Sequence, residues 1–139
     1  MAETRIYLAS RSPRRRELLK QMGIGFEVLL LREDLKRGAD VDETPIAAEP
    51  PADYVLRLAR AKAEVAARQL VQRGLRAQPV LAADTTVVLE GAIIGKPANA
   101  EDAVRILAAL SGRQHEVITA VALAHQNHIE ARLSLSTVQ

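Results

Sequence analysis

The pattern of apolar and polar residues predicts short strands and amphipathic helices along the whole chain. The predicted strands are apolar or β-branched runs that end at turn residues, whereas the predicted helices carry apolar residues at three- and four-residue spacing. The expected strands are 5–9, 26–31, 79–89, 92–94, 115–124 and 129–138. The expected helices are 13–22, 52–73 and 100–110. With 139 residues, the chain is long enough for one compact domain with its own core.

The stretch LASRSPRRRELL (8–19) joins the first expected strand to the first expected helix. Ser12 is a good N-cap, and Pro13 suits the first helical position, where no backbone N–H is needed. The arginines 14–16 fall in the first turn, where free N–H groups already make the helix end positive. Hydroxyls, amides and arginines in one place predict an anion site, with phosphate the obvious ligand. The alternative is an ordinary basic surface helix that binds nothing.

Two charged residues lie within apolar patterns. Asp84 interrupts the strand PVLAADTTVVL, where a carboxylate is costly unless another group compensates it. Lys62 lies near the edge of the apolar stripe of the 52–73 helix, and by itself it is typical of a surface lysine whose stem covers apolar groups. The segment 32–51 is polar and contains three prolines, which predicts a long loop. Loops of this length in compact domains often carry function.

Composition excludes several classes of protein. Aromatic residues make up 2% of the chain, which argues against a base-stacking surface for single-stranded nucleic acid. A net charge of +2 does not provide a duplex-binding basic face. The chain has no cysteine and therefore no disulfide or thiolate site. With no apolar signal core and no run of membrane-spanning length, we expect a cytoplasmic protein without a membrane partner.

Histidines and glycines offer two further motifs, and neither supports a site. His125 and His128 flank the expected turn between the last two strands, and a solvated turn is favoured over a metal pair. The segment GAIIGKP (91–97) is similar to a phosphate-binding loop, but its glycine spacing is one residue short. Pro97 also stands where a magnesium-binding serine or threonine belongs.

Five motifs, in order and spacing, resemble those of the Maf family: LASRSPRRRELL, YVLRLARAKA, AADTTVV, IIGKP and LSGRQHEVITAVAL. The match runs from about Tyr7 to the C-terminus. The resemblance implies an α/β fold similar to that of inosine-triphosphate pyrophosphatases, with an elongated mixed sheet flanked by helices and a cleft between two lobes. It also implies hydrolysis of a nucleoside triphosphate to the monophosphate and pyrophosphate, aided by a divalent cation, magnesium or manganese.

The resemblance assigns roles to residues within these motifs. Glu43, eleven residues before Tyr54, would be the loop acid near the metal. Asp84 would bind the metal and accept the proton from water, which makes it the expected catalytic residue. The residues expected to bind the phosphates of the substrate are Ser10, Arg14, Arg15, Lys62 and Lys96.

Substrate choice is implied by the pair Asp84-Thr85, which resembles the thymidine and uridine triphosphate subgroup. An Asp-Gln pair would resemble the 7-methylguanosine triphosphate subgroup instead. Arg14 and Thr85 occupy positions that the family links to substrate choice. We therefore expect a dTTP and UTP pyrophosphatase, with modified pyrimidine nucleotides as further candidate substrates. A homodimer remains open.

The sequence does not contain the EPxDKAGAYxIQ-like stretch that follows in the family. We therefore expect residues 1–139 to form a single Maf-like domain that is incomplete at its C-terminal end. Such a chain should be poorly active and prone to aggregate, because the strand 129–138 would offer unpaired backbone groups to other chains. Two alternatives stay open: an inactive fragment that binds nucleotide or a partner protein, and a regulatory protein of cell division.

Overall fold

The computed structural model describes residues 5–10, 12–29, 41–44, 46–94 and 99–138. Its elements follow the predicted order, and the first strand and third helix match the predicted bounds residue for residue. They are β1 (Arg5–Ala9), α1 (Pro13–Gln21), β2 (Gly25–Val28), α2 (Pro51–Gln72), β3 (Val80–Leu89), β4 (Ala92–Ile94), α3 (Ala100–Leu110), β5 (His115–His125) and β6 (His128–Val138). In the described part of the chain, no helix is long and apolar enough to cross a membrane.

The local signals at the ends of these elements act as the sequence predicts. The Ser12 hydroxyl accepts a hydrogen bond from the backbone N–H of Arg15, and Asn99 caps α3 by accepting from the N–H of Asp102. Two-residue turns, 90–91 and 126–127, join the β3–β4 and β5–β6 hairpins, and all four residues have positive φ. Positive φ at both central positions matches the right-handed twist of the flanking strands.

The strands form one mixed sheet in the order β2-β1-β3-β5-β6. Strand β1 is parallel to β2 and β3, whereas β5 is antiparallel to both β3 and β6. The strands β5 and β6 pair over eleven residues each, which extends the sheet along one direction. The expectation of an α/β fold with an elongated mixed sheet flanked by helices is confirmed.

One edge of β3 changes partner along its length. Residues 80–82 pair with β1, and residues 87–89 pair with β4 further along. Between these two neighbours, residues 83–86 pair with β5 alone among the described strands. Among the strands that the structure describes, none therefore pairs with this edge of β3 at Asp84 and Thr85, and we call it the open edge of β3.

The two main helices cover opposite faces of the sheet. Because side chains alternate along a strand, Tyr7 and Ala9 join the core beneath α2, whereas Ile6 and Leu8 pack with Leu19 of α1. Helix α2 packs across β3, β5 and β6 and forms the larger core. The same alternation directs Asp84 and Thr85, which are consecutive on β3, to opposite faces of the sheet.

The run FEVLLL, expected as a buried strand, is only partly one. The strand β2 ends at Val28 and lies at the edge of the described sheet, so Glu27 and Val28 are exposed. Leu29 follows the strand and is buried. Residues 30 and 31 of the expected strand lie outside the described residues.

A matched pair of valines on α2 tests the core assignment. Val55 has no exposed surface, whereas Val71 on the same helix is 82% exposed. We expect Val55→Ala to lower the free energy of unfolding by about 2 kcal/mol, through lost apolar burial and a residual cavity. Val71→Ala should change it little, because the side chain is already in water. Urea unfolding measures both, and equal losses would contradict the arrangement of α2.

Candidate active site

Lys62 joins α2 to β3 and to the segment before α2. Its Nζ donates to Asp84 Oδ1 at 2.9 Å and lies 3.1 Å from Glu43 Oε1. The Lys62 side chain is 17% exposed and that of Asp84 is 11% exposed. The interpretation of Lys62 as an ordinary surface lysine is therefore wrong. We call Glu43, Lys62 and Asp84 the acid–lysine cluster.

Electrostatics explain how Asp84 is accommodated in an apolar strand. Burial by itself would lower the pKa of the Lys62 ammonium, but the hydrogen bonds and charges of Asp84 and Glu43 outweigh burial and raise it. Lys62 therefore stays charged at neutral pH and compensates the buried carboxylate. The position of Asp84 in an apolar strand predicted that some group compensates its charge. The structure identifies that group as Lys62.

A second group of side chains lies around Arg15 in the first turn of α1. Arg15 Nη1 donates to the Ser10 hydroxyl at 3.0 Å, and Nη2 donates to Thr85 Oγ1 at 2.9 Å. Thr85 and Thr119 are directly opposite in the β3–β5 register, with their hydroxyl oxygens 3.0 Å apart. We call Ser10, Arg15, Thr85 and Thr119 the hydroxyl–arginine cluster.

The Ser10 hydroxyl has a defined hydrogen-bonding role. It accepts from the backbone N–H of Ser12 at 3.1 Å as well as from Arg15. A hydroxyl has two acceptor lone pairs and one donor, so its donor is what it offers to a ligand. An O–H donor beside a guanidinium and a helix N-terminus suits an anionic oxygen.

The two clusters meet at the open edge of β3. Asp84 and Thr85 are consecutive, so strand alternation directs one toward α2 and the other toward α1. Burial lowers the pKa of the Arg15 guanidinium, and the negative charge of Asp84 opposes that shift. One cation from each face, Arg15 and Lys62, therefore lies beside the segment of β3 that β1 and β4 leave uncovered, and both acids lie on the α2 face.

The structure brings together most, but not all, of the residues singled out in the sequence. Ser10, Arg15, Thr85, Glu43, Lys62 and Asp84 belong to the two clusters. Arg14 is exposed on the first turn of α1 and belongs to neither. Lys96 lies outside the described residues. Sequence reasoning missed Thr119, for which the pairing of LSGRQHEVITAVAL with AADTTVV was the available signal.

The segment carrying Glu43 is held by two further residues that sequence reasoning missed. The Tyr54 hydroxyl donates to the backbone carbonyl of Glu43 at 2.6 Å. Arg57 pairs with Glu49 and donates to the carbonyl of Thr44. Both residues lie in the motif YVLRLARAKA. The helical periodicity of α2 accounts for their positions, so the sequence carries no separate signal for this role.

The acid–lysine cluster has the donor types that suit a hard divalent cation. Glu43 Oε1 and Asp84 Oδ1 both contact the Lys62 ammonium, so the two carboxylates lie close together. Among the described residues, no group of three or more histidine, cysteine, aspartate or glutamate side chains could hold a metal ion. Magnesium is commonly bound by one or two carboxylates together with substrate phosphates. The residues therefore fit a cation that arrives with a phosphate ligand.

The family model described as Maf-like protein matches residues 5–139. The chain belongs to the Maf family. Proteins named dTTP/UTP pyrophosphatase are similar to this Maf chain at 58% identity in Nitrosomonas europaea and 56% in Nitrosospira multiformis. The matches cover 96% and 99% of the chain but 65% and 66% of those relatives. The Maf chain thus spans about two thirds of the length of these curated relatives.

Solved structures of two Ham1 proteins have a similar fold. A HAM1 protein from Coxiella burnetii has a TM-score of 0.61 at 21% identity, covering 96% of this chain and 71% of that one. The Staphylococcus aureus Ham1 protein has a TM-score of 0.58 at 20% identity, covering 97% and 70%. At this identity the likeness concerns the fold alone, and it agrees with the expected fold class.

Removal of the Lys62 ammonium should destabilise this Maf chain. We expect Lys62→Met to lower the free energy of unfolding at pH 7 on the order of 2 kcal/mol, because two carboxylates lose a charged partner. Since the pKa of Lys62 is raised on folding, its contribution is complete below the unfolded pKa and is lost as pH rises through the folded pKa. The difference from wild type should therefore be constant from neutral pH and shrink only at strongly alkaline pH.

Urea unfolding across this pH range measures the difference. Lys20→Met is the control, because Lys20 is exposed on α1. A Lys62→Met difference that vanishes already near neutral pH would contradict the ion-pair assignment.

Proposed function

We propose that this Maf chain hydrolyses dTTP and UTP to the monophosphate and pyrophosphate. The observation that carries the proposal is the convergence of the acid–lysine and hydroxyl–arginine clusters at the open edge of β3. Phosphoanhydride hydrolysis requires cations and donors for the phosphates, together with an acid–base group beside them. The names of the Maf relatives support the same reaction and the same substrates.

The hydroxyl–arginine cluster supplies the phosphate contacts in this proposal. Arg15 and the Ser10 O–H donate to phosphate oxygens at the N-terminus of α1. Lys62 adds a cation from the other face of the sheet and exchanges a carboxylate contact for a phosphate contact as the ligand enters. Arg14 and Lys96 are proposed as additional phosphate-binding residues on the basis of the family motifs.

Asp84 is the proposed general base, and Glu43 and Asp84 are the proposed ligands of magnesium or manganese. In this proposal the Asp84 carboxylate accepts a proton from the attacking water. When bound, the divalent cation neutralises charge that develops on the phosphoryl oxygens. We assign selectivity for the nucleobase of the substrate to Thr85 and Arg14. Modified pyrimidine nucleotides are further candidate substrates. We place the reaction in the cytoplasm, where nucleoside triphosphates are made and used.

Replacement of the proposed base provides the first test. Asp84→Asn keeps the side-chain size but removes the proton acceptor, so turnover should fall roughly 10²- to 10⁴-fold. The assay is pyrophosphate release from dTTP, UTP and 7-methyl-GTP with magnesium or manganese.

Asp53→Asn makes the same change at an exposed carboxylate on the first turn of α2 and should leave turnover unchanged. An Asp84→Asn variant with wild-type turnover would remove Asp84 from the mechanism. A wild-type chain that releases no pyrophosphate from any of the three nucleotides would refute the proposed function.

Arg15 provides a test of phosphate recognition. Arg15→Ala should weaken dTTP binding by about 1.5–3 kcal/mol, the cost of a charge-assisted hydrogen bond, and leave thymidine binding nearly unchanged. Calorimetry of both ligands, with exposed Arg68→Ala as the control, measures this difference. Equal losses for nucleotide and nucleoside would assign Arg15 a structural role instead.

A further inference from the structure

The carboxylate of Glu43 is presented by a segment without helix or strand. Residues 41–44 and 46–50 connect to α2, and Glu43 meets Lys62 from this irregular backbone. The Glu43 side chain is 35% exposed, whereas its partners Lys62 and Asp84 are largely buried. Its position therefore depends on what fixes the backbone around it.

Arg57 makes the most extensive set of contacts to this segment. Its Nε donates to Glu49 Oε2 at 2.8 Å and its Nη2 to Glu49 Oε1 at 3.0 Å, which is a two-point guanidinium–carboxylate pair. The same Nη2 donates to the backbone carbonyl of Thr44 at 3.1 Å. One side chain thus binds the segment both directly after Glu43 and at Glu49, close to the start of α2.

Tyr54 holds the preceding carbonyl. Its hydroxyl donates to the carbonyl of Glu43, and the Arg57 guanidinium lies over the Tyr54 ring, 5.5 Å from its centroid. Tyr54 and Arg57 are one helical turn apart on α2, so they hold consecutive carbonyls, those of Glu43 and Thr44. Helix α2 therefore supplies Lys62 and also, through Tyr54, holds the backbone of Glu43, which Lys62 contacts.

Glu49 binds both Arg57 and the backbone of its own segment. Its Oε1 also accepts from the backbone N–H of Ile46 at 3.3 Å. The hydrogen bond from Arg57 lowers the pKa of the Glu49 carboxyl, so the pair is charged on both sides at neutral pH. Glu49 thereby ties both Arg57 and the segment into one unit.

We propose that Arg57, through its pair with Glu49, is the positioning residue that holds Glu43 at the metal-binding side of the acid–lysine cluster. This inference rests on the proposed function of that cluster. The competing explanation is general stability, because Val41 of the same segment packs against the main core. The two explanations differ in which residues should lose protection from hydrogen exchange when Arg57 is replaced.

Hydrogen exchange measured by mass spectrometry shows which residues lose protection. Arg57→Gln should raise exchange roughly tenfold or more in residues 41–50, with no comparable change in 58–72 or 80–89. Glu49→Gln should act in the same direction. Arg57→Lys keeps the charge but not the planar fork, so it should protect the segment only in part. Arg60→Gln, one turn along and exposed, is the matched control.

Manganese dependence of pyrophosphate release shows whether the positioning matters to the site. Residues that orient metal ligands typically contribute 10- to 100-fold to metal affinity or activity. Arg57→Gln should therefore raise the manganese concentration for half-maximal rate by about that factor, with the rate largely restored at saturating manganese. General structural damage would instead lower the rate equally at every manganese concentration.

The outcomes separate the inference from the proposed function. Unchanged exchange in 41–50, an increase spread equally over 58–72 and 80–89, or a loss of rate that manganese does not restore would each overturn the role of Arg57. If wild type releases no pyrophosphate, the proposed function fails. In that case, the exchange measurement alone decides whether Arg57 holds the Glu43 segment.

Discussion

The interaction on which this structure depends is the contact of the Lys62 ammonium with the carboxylates of Asp84 and Glu43. A carboxylate within an apolar strand is costly unless another group compensates its charge, and here the compensating group is a cation at hydrogen-bonding distance. Helix α2 supplies that cation, so its position over β3 is tied to the charge of Asp84. The same ammonium reaches Glu43 and thereby joins an irregular segment to the sheet and helix.

The site is also a consequence of strand pairing. Because β1 leaves β3 after residue 82 and β4 joins it at residue 87, the intervening edge is uncovered by described strands. Asp84 and Thr85 lie on that edge and point to opposite faces, so one dipeptide serves both clusters. Arg15 reaches it from α1 and Lys62 from α2. A phosphate chain at this edge would meet cations from both faces of the sheet.

Much of the polar geometry is fixed by hydrogen bonds among the protein's own residues. Ser10 and Thr85 orient the Arg15 guanidinium, Thr119 supports Thr85, and Tyr54 and Arg57 hold the backbone at Glu43. Groups that are already oriented need little reorganisation when charge develops, which is the main source of electrostatic catalysis. Membership of the Maf family and the likeness to the Ham1 fold agree with the α/β architecture that holds these groups.

The sequence by itself determined the elements, their order and the chemical character of the site. Ser12 and Asn99 begin helices through hydrogen bonds within one turn, and the motifs that contain Ser10, Lys62 and Asp84 carried the resemblance to the family. Only the tertiary structure decided the partners. Lys62 and Asp84 are 22 residues apart, Thr85 and Thr119 are 34 apart, and Arg15 and Thr85 are 70 apart. Caps and periodicity act over a few residues, whereas these contacts depend on sheet register and on how α1 and α2 pack. For the same reason, α2 turns Lys62 inward while α1 leaves Arg14 in solvent.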